Sequence, residues 1–115
     1  MIDVLLGCFA PGRNKAEYSL DFVLPGVPRP GDYISVARPG VRGTEDFIVR
    51  RCWWSLNAPE AGANGDVGTL DRLIVECEYA LSSHSTPQHR QECLAYERET
   101  GVLLHCVSRP PADLL

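Results

Sequence analysis

The sequence predicts an α+β domain: a small antiparallel β-barrel, or a strongly bent sheet, of five to six strands with one helix in the C-terminal half. Three observations predict it. Apolar and polar residues alternate in short runs separated by glycine- and proline-rich turns, the period of half-buried strands. The run Phe47-Ile48-Val49-Arg50-Arg51-Cys52-Trp53-Trp54-Ser55-Leu56, the densest in aromatic and β-branched residues, changes phase in its middle. Phe47 and Val49 share a face, and Cys52 and Trp54 join it only after a shift of one residue, which a bulge at Arg50-Arg51 supplies while bending the strand. After Ser82-Ser83-His84 the period lengthens to that of a helix.

The elements follow in order. Residues 2 to 9 form an apolar first strand, with Ile2, Val4, Leu6 and Cys8 on one face and Leu5 and Phe9 on the other. Ala10 to Lys15 is turn material, and Glu17 to Leu24 alternates with Tyr18, Leu20, Phe22 and Leu24 inward, so the two strands pair as a hairpin. In Pro25 to Asp32 three prolines remove three backbone donors, which makes a stiff connector that lays Val27 against the sheet. Tyr33 to Arg38 is a strand with Ile34 and Val36 inward, and Pro39 to Gly43 turns it into the central strand. A four-stranded meander is the expected first half.

Residues 55 to 69 read as a long polar loop, longer than a tight hairpin requires and a candidate for function. Leu70 to Ala80 alternates cleanly: Leu73, Val75, Cys77 and Tyr79 face one way, Arg72, Ile74, Glu76 and Glu78 the other. Ser85 or Thr86 caps a helix over Pro87 to Thr100, Pro87 suits its first turn and Gly101 its end. Its apolar stripe of Cys93, Leu94, Tyr96 and Ala95 is narrow, which places it on the surface of the sheet. Val102 to Val107 gives a last strand. The domain spans residues 1 to 109, and Pro110 and Pro111 keep residues 110 to 115 out of the sheet as a flexible tail.

With 115 residues, 44% of them hydrophobic and 23% charged, the chain is long enough to bury a core without disulfide support. Its formal charge of -4 argues against a main task of neutralising phosphates. Ten of the basic residues are arginine and only Lys15 is lysine, which reflects either genome composition or selection for planar, multidentate contacts. The segment Met1-Ile2-Asp3-Val4 lacks the basic start of a secretory signal, and no apolar run approaches the roughly 18 residues of a membrane span. A soluble cytoplasmic protein is expected. Five cysteines with no C-x-x-C pair read as free thiols, four of them core hydrophobes.

The string Leu24-Pro25-Gly26-Val27-Pro28-Arg29-Pro30-Gly31-Asp32-Tyr33-Ile34, followed by Phe47-x-Val49-x-x-Cys52-x-Trp54 and Leu73-x-Val75-x-Cys77-Glu78, resembles small, largely uncharacterised β-barrel proteins of proteobacteria and their mobile elements. The resemblance covers residues 17 to 80 and rests on fold-making residues. It implies the barrel and an accessory role on a phage or other mobile genetic element, such as blocking a bacterial host-defence complex.

Four chemistries compete for the functional residues. A zinc site would draw on His89 and Cys93, spaced i, i+4 on the helix, with His84, His105 or Cys106, but His105 and Cys106 face opposite ways. Thiol catalysis would use Cys93 with His89 and Glu92 or Glu97, without an oxyanion loop in sight. Asp66, Asp71, Glu76 and Glu78 are candidate paired carboxylates, although alternating charge on a strand is the ordinary pattern of a wet face. Arg50, Arg51 and Trp53 put guanidinium groups beside an aromatic plane, as a nucleic-acid-binding barrel would.

Protein binding fits most simply. An outward Trp53 between Arg50, Arg51 and the Arg72, Ile74, Glu76, Glu78 face has the composition of an interface anchor, with self-association as one form of it. One tryptophan is expected in the core and the helix is the expected cover for the other. The reading favoured is a non-catalytic protein-binding module acting as an inhibitor, in which Glu76, Glu78, Glu97 and Glu99 imitate phosphates. No catalytic residue, metal or cofactor is assigned. The alternatives are a nucleic-acid-binding barrel and a small metal- or thiol-dependent enzyme.

Overall fold

The structure, a computed structural model, describes residues 1–60 and 67–107. The centre of the loop predicted over residues 55–69 and the predicted 110–115 tail lie outside the described residues. Among the described residues six strands and one helix follow in order: β1 (Ile2–Phe9), β2 (Tyr18–Leu24), β3 (Tyr33–Val36), β4 (Glu45–Asn57), β5 (Thr69–Ser82), α1 (Pro87–Thr100) and β6 (Cys106–Val107). The main sheet runs β2-β1-β5-β4-β3 and curls into a half-barrel, with β6 attached to the end of β5. The bent-sheet form of the prediction is therefore the one adopted. The final strand is shorter than its apolar content predicts, because only Cys106 and Val107 reach Leu81 and Ser82.

Two expectations are corrected by this order. The first four strands do not make a meander: β5 enters between β1 and β4, so β2 and β3 occupy opposite edges. The sheet is mixed and not antiparallel throughout, since β1 and β5 run parallel from Val4 opposite Leu73 to Phe9 opposite Glu78. A hydrophobic period fixes faces and leaves neighbours open. The stiff connector predicted at 25–32 spans from one edge of the half-barrel to the other. There Pro28 accepts the Cys52 thiol at 3.0 Å, and Gly31 and Asp32 bond the backbone of Val49. Val27 stays exposed on it.

The concave face carries the core. Val4, Leu6 and Cys8 of β1, Phe47 and Val49 of β4, and Leu73, Val75, Cys77 and Tyr79 of β5 are buried, as alternation predicts. Full burial of an aliphatic or aromatic side chain of this kind contributes about 1.5–3 kcal/mol. Curling brings β2 across to β4 at one end: the Tyr18 ring lies 6.4 Å from that of Phe47, and its hydroxyl donates to Glu45 at 2.7 Å.

Helix α1 closes that end. Thr86 caps it by accepting from the His89 N–H at 3.1 Å, Pro87 opens it, and Gly101 ends it at φ +72° with its N–H on the Glu97 carbonyl. These bounds match the sequence reading. Its inward stripe does not, because His89 and Cys93 are buried and Tyr96 half-buried, whereas Leu94 and Ala95 face out. Phe47 and Tyr79 meet His89 edge-on at 5.8 and 5.3 Å, so the helix seals the aromatic end of the core.

A polar knot ties the same end. Asp46, only 2% exposed, accepts hydroxyl bonds from Ser35, Thr44, Ser82 and Ser85 at 2.6–3.0 Å. Burial pushes its carboxyl up, but these bonds outweigh it and hold the group below the usual carboxylate range. Gly43 makes the approach possible: it sits at φ +98°, and a Cβ there would stand 2.7 Å from the His84 carbonyl oxygen.

Candidate functional site

The β4–β5 pair is longer than the strands that flank it. From Asp46 opposite Ala80 it continues to Asn57 opposite Thr69, but β3 covers β4 only from Glu45 to Ile48 and β1 begins on β5 at Leu73. Beyond Trp54 opposite Leu73, the pair continues as a two-stranded arm from Ser55 opposite Arg72 to Asn57 opposite Thr69. The β4 edge from Arg51 to Asn57 faces no strand among the described residues.

The predicted bulge is present. Val49 pairs with Cys77 and Arg51 with Glu76, so Arg50 is the extra residue and Cys52 and Trp54 move to the concave face opposite Val75 and Leu73. Trp53 takes the convex face opposite Ile74. The faces of both tryptophans are thus those the sequence implies. Their burial is not: Trp53 is 42% and Trp54 51% exposed, because Trp54 sits opposite Leu73 at the edge of the core, where β3 no longer flanks β4. No tryptophan is in the core, and α1 does not cover Trp53, since it packs at the opposite end of β5.

All seven residues singled out for binding come together on the convex face. Arg50, Arg51 and Trp53 project from β4, and Arg72, Ile74, Glu76 and Glu78 from β5. Arg50 donates its Nε to Glu78 at 2.7 Å and reaches the Ala10 and Arg13 carbonyls at 3.0 Å, while its guanidinium lies 5.0 Å from the Phe9 ring centre. Arg51 bonds Glu76 and lies 5.4 Å from the Trp53 ring centre. Arg72 lies 3.7 Å from Asp71.

This pairing changes what the face can do. Glu76, 6% exposed, is answered by Arg50 and Arg51, and Glu78 by Arg50. Neither glutamate is free to imitate a phosphate, and neither β4 arginine is a spare cation for one. Glu97 is also engaged, accepting the Leu104 N–H at 3.0 Å, and Glu99 pairs with Arg13. The exposed apolar groups nearby are Trp53 on this face, Trp54 on the other, and Leu56 at 68% and Leu70 at 45% exposure further along the pair.

The helical pair His89 and Cys93 belongs to the core. His89 Nε2 lies 2.8 Å from the Ala80 carbonyl oxygen. The Asp46 N–H donates to the same nitrogen at 3.2 Å, so the ring is tied to both strands of the β4–β5 ladder. Cys93 Sγ is 3.5 Å from Nε2, and burial pushes its thiol up to about 12. A buried thiol held in its protonated form is neither an activated nucleophile nor a ready zinc ligand. Among the described residues no three His, Cys, Asp or Glu side chains gather as a metal site. His84, His105 and the β6 residue Cys106 are exposed elsewhere, and Asp66 lies outside the described residues.

Among the described residues no helix is long and apolar enough to cross a membrane. Comparison with known protein families, with curated proteins and with solved structures finds no match to this chain.

Proposed function

We propose that the protein is a non-catalytic binding module that takes an extended segment of another protein along the free edge of β4. One observation carries this reading: Trp53 and Trp54 lie on opposite faces of an edge that no strand covers among the described residues, and each is about half exposed. A partner resting on one face buries one ring only. A strand added beside Arg51–Asn57 satisfies the open backbone groups and brings side chains over both rings. Tryptophan is a frequent anchor of interfaces, and the neighbouring Leu56 and Leu70 extend the apolar contact.

The charge pattern favours protein over nucleic acid as the partner. Arg50 and Arg51 are already matched by Glu76 and Glu78 in a chain of formal charge -4. The resemblance to mobile-element barrel proteins gives the module its setting: an accessory or inhibitor of a host-defence complex in the bacterial cytoplasm, which occupies a site on its target. A second copy of the chain is the competing occupant of the edge.

The test is a pull-down of the full chain from nuclease-treated host lysate beside Trp53→Ala and Trp54→Ala variants, followed by amide exchange on the purified complex. A stoichiometric partner lost in both variants, with new protection at residues 52–57, supports strand addition. Loss in Trp53→Ala alone without protection there refutes it. Protection at 52–57 in the isolated protein, accompanied by a dimer mass, assigns the edge to self-association instead.

A further inference from the structure

β1 and β5 form the parallel pair inside the sheet, and their register sets Val4 opposite Leu73, Leu6 opposite Val75 and Cys8 opposite Cys77. All six side chains are buried on the concave face, and both cysteines are 0% exposed. Neighbouring strands lie about 4.8 Å apart, within the Cα separation of about 4.4–6.8 Å that a disulfide spans. Two cysteines directly opposite on one face of a ladder therefore stand where a bridge closes with little movement of the backbone.

The β5 thiol already leans across. Cys77 Sγ donates to the Gly7 carbonyl at 3.3 Å, the peptide that leads into Cys8, whereas Cys8 Sγ stays over its own strand, 3.9 Å from the Leu6 carbonyl. The Cys8 thiol beside it, with burial second, pushes the Cys77 thiol up.

The other cysteines have no such partner. Cys52 faces Val75, two positions along β5 from Cys77, and its thiol donates to the Pro28 carbonyl at 3.0 Å. Diagonal places of this kind on a sheet are about 7–8 Å apart, beyond the span of a bridge. Cys93 sits on α1 at 3.9 Å from the Ala80 carbonyl, and Cys106 pairs with Leu81, so both lie past the Cys77 end of the β1 ladder.

We propose that Cys8 and Cys77 are a redox pair, which a low-molecular-weight disulfide converts to a bridge that locks β1 to β5. The reaction is thiol–disulfide exchange. One thiolate of the pair attacks the external disulfide, forming a mixed disulfide and releasing one small thiol; the second thiolate then displaces the other. Two protein thiols are oxidised to one Sγ–Sγ bond, and one external disulfide is reduced to two thiols, which carry the two protons. Both sulfurs are buried in the folded sheet, so exchange runs while the chain folds or opens, and the folded register selects the product. The bridge closes a loop over residues 9 to 76, with β2, β3 and β4 inside it, and so restricts the unfolded chain. The pair stays open where thiols are kept reduced and closes where they are not, which makes stability follow the redox state of the surroundings. It lies on the core side of the sheet and stands whether or not the β4 edge takes a partner.

The test refolds the full chain from urea in a mixture of reduced and oxidised glutathione, and incubates the native chain in the same mixture until the product is constant. Tryptic digestion without reductant identifies the bridge, since Cys8 is the only cysteine of Met1 to Arg13 and Cys77 the only one of Leu73 to Arg90. Both routes are expected to give these two peptides as one linked pair, and the bridged protein an unfolding constant about a hundredfold smaller, an effect that a reductant reverses. Cys8→Ala/Cys77→Ala removes the linked pair and the effect of reductant on stability. Free thiols or glutathione adducts at Cys8 and Cys77 in the folded product overturn the proposal. So does a dominant bridge to another cysteine, or a urea midpoint that the bridge leaves unchanged or lowers.

Discussion

Arg50, the residue that the β4 bulge leaves without an opposite neighbour, donates its Nε to Glu78 at 2.7 Å. The bulge therefore does more than restore the hydrophobic phase of β4. It turns a guanidinium back over the convex face, where it holds the Ala10 and Arg13 carbonyls of the first turn and also lies 3.5 Å from Glu76. One inserted residue links the β1–β2 turn to the centre of the sheet.

Replacement of Arg50 by alanine removes all of these bonds and leaves Glu76, 7% exposed in its side chain, with Arg51 alone. The Arg50 side chain is itself 22% exposed, so solvent screens part of the loss. We expect a loss of about 2–3 kcal/mol in urea unfolding with an unchanged slope. A change within 0.5 kcal/mol, or about the error of an ordinary surface substitution, shows that the bulge arginine does not anchor the turn.

Asp46 makes stability depend on acid. Its folded pKa lies below the ordinary value of about 3.9, so its contribution is complete above that pH and is lost as pH falls through the lower folded value. Glu45, raised by burial but lowered further by Arg38 and Tyr18, acts in the same sense. Asp46→Asn should cost about 2 kcal/mol at neutral pH and flatten the acid limb of the stability curve. Stability measured against pH for both proteins checks this, and an unchanged limb refutes the assignment.

Two glycines with positive φ separate strain from contact. Gly40 at φ +74° meets nothing within 4 Å of a built Cβ, whereas Gly43 at φ +98° meets the His84 carbonyl oxygen at 2.7 Å. Gly40→Ala is expected to cost about 1 kcal/mol, the left-handed penalty alone. Gly43→Ala should cost at least about 2–3 kcal/mol, because Thr44 N–H donates to the same carbonyl and both strands must shift. Equal losses in thermal unfolding would remove the contact argument.

The five thiols should react in order of exposure. Cys106 is exposed and Cys52 half-buried, while Cys8, Cys77 and Cys93 are buried. Burial, with Asp32 nearby, raises the Cys52 thiol, and burial raises Cys93 to about 12. An aromatic disulfide reagent at neutral pH should find one fast thiol, one slow thiol and three that react only on unfolding, with Cys106→Ser removing the fast phase. Fast reaction at Cys93 would contradict its place in the core.

Much of this could be read along the chain because the signals are local. The limits of α1 follow from Thr86, Pro87 and Gly101, each acting within one turn of the helix end. The faces of β5 follow from strict alternation, and the Arg50 bulge from a break in it. The same rule assigned Trp53 and Trp54 to their faces but misjudged their burial, since alternation says which side a residue takes and not how far the covering strands extend.

The class of fold, the helix, the bulge and the side of the sheet taken by each candidate strand residue are legible along the chain, because backbone period and capping are set by neighbours a few positions away. The insertion of β5 between β1 and β4, the neutralisation of Glu76 and Glu78 by Arg50 and Arg51, and the gathering of Ser35, Thr44, Ser82 and Ser85 on Asp46 emerge from the folded arrangement. Strand order and charge pairing depend on which distant segments meet. A one-dimensional pattern holds their faces but not their addresses.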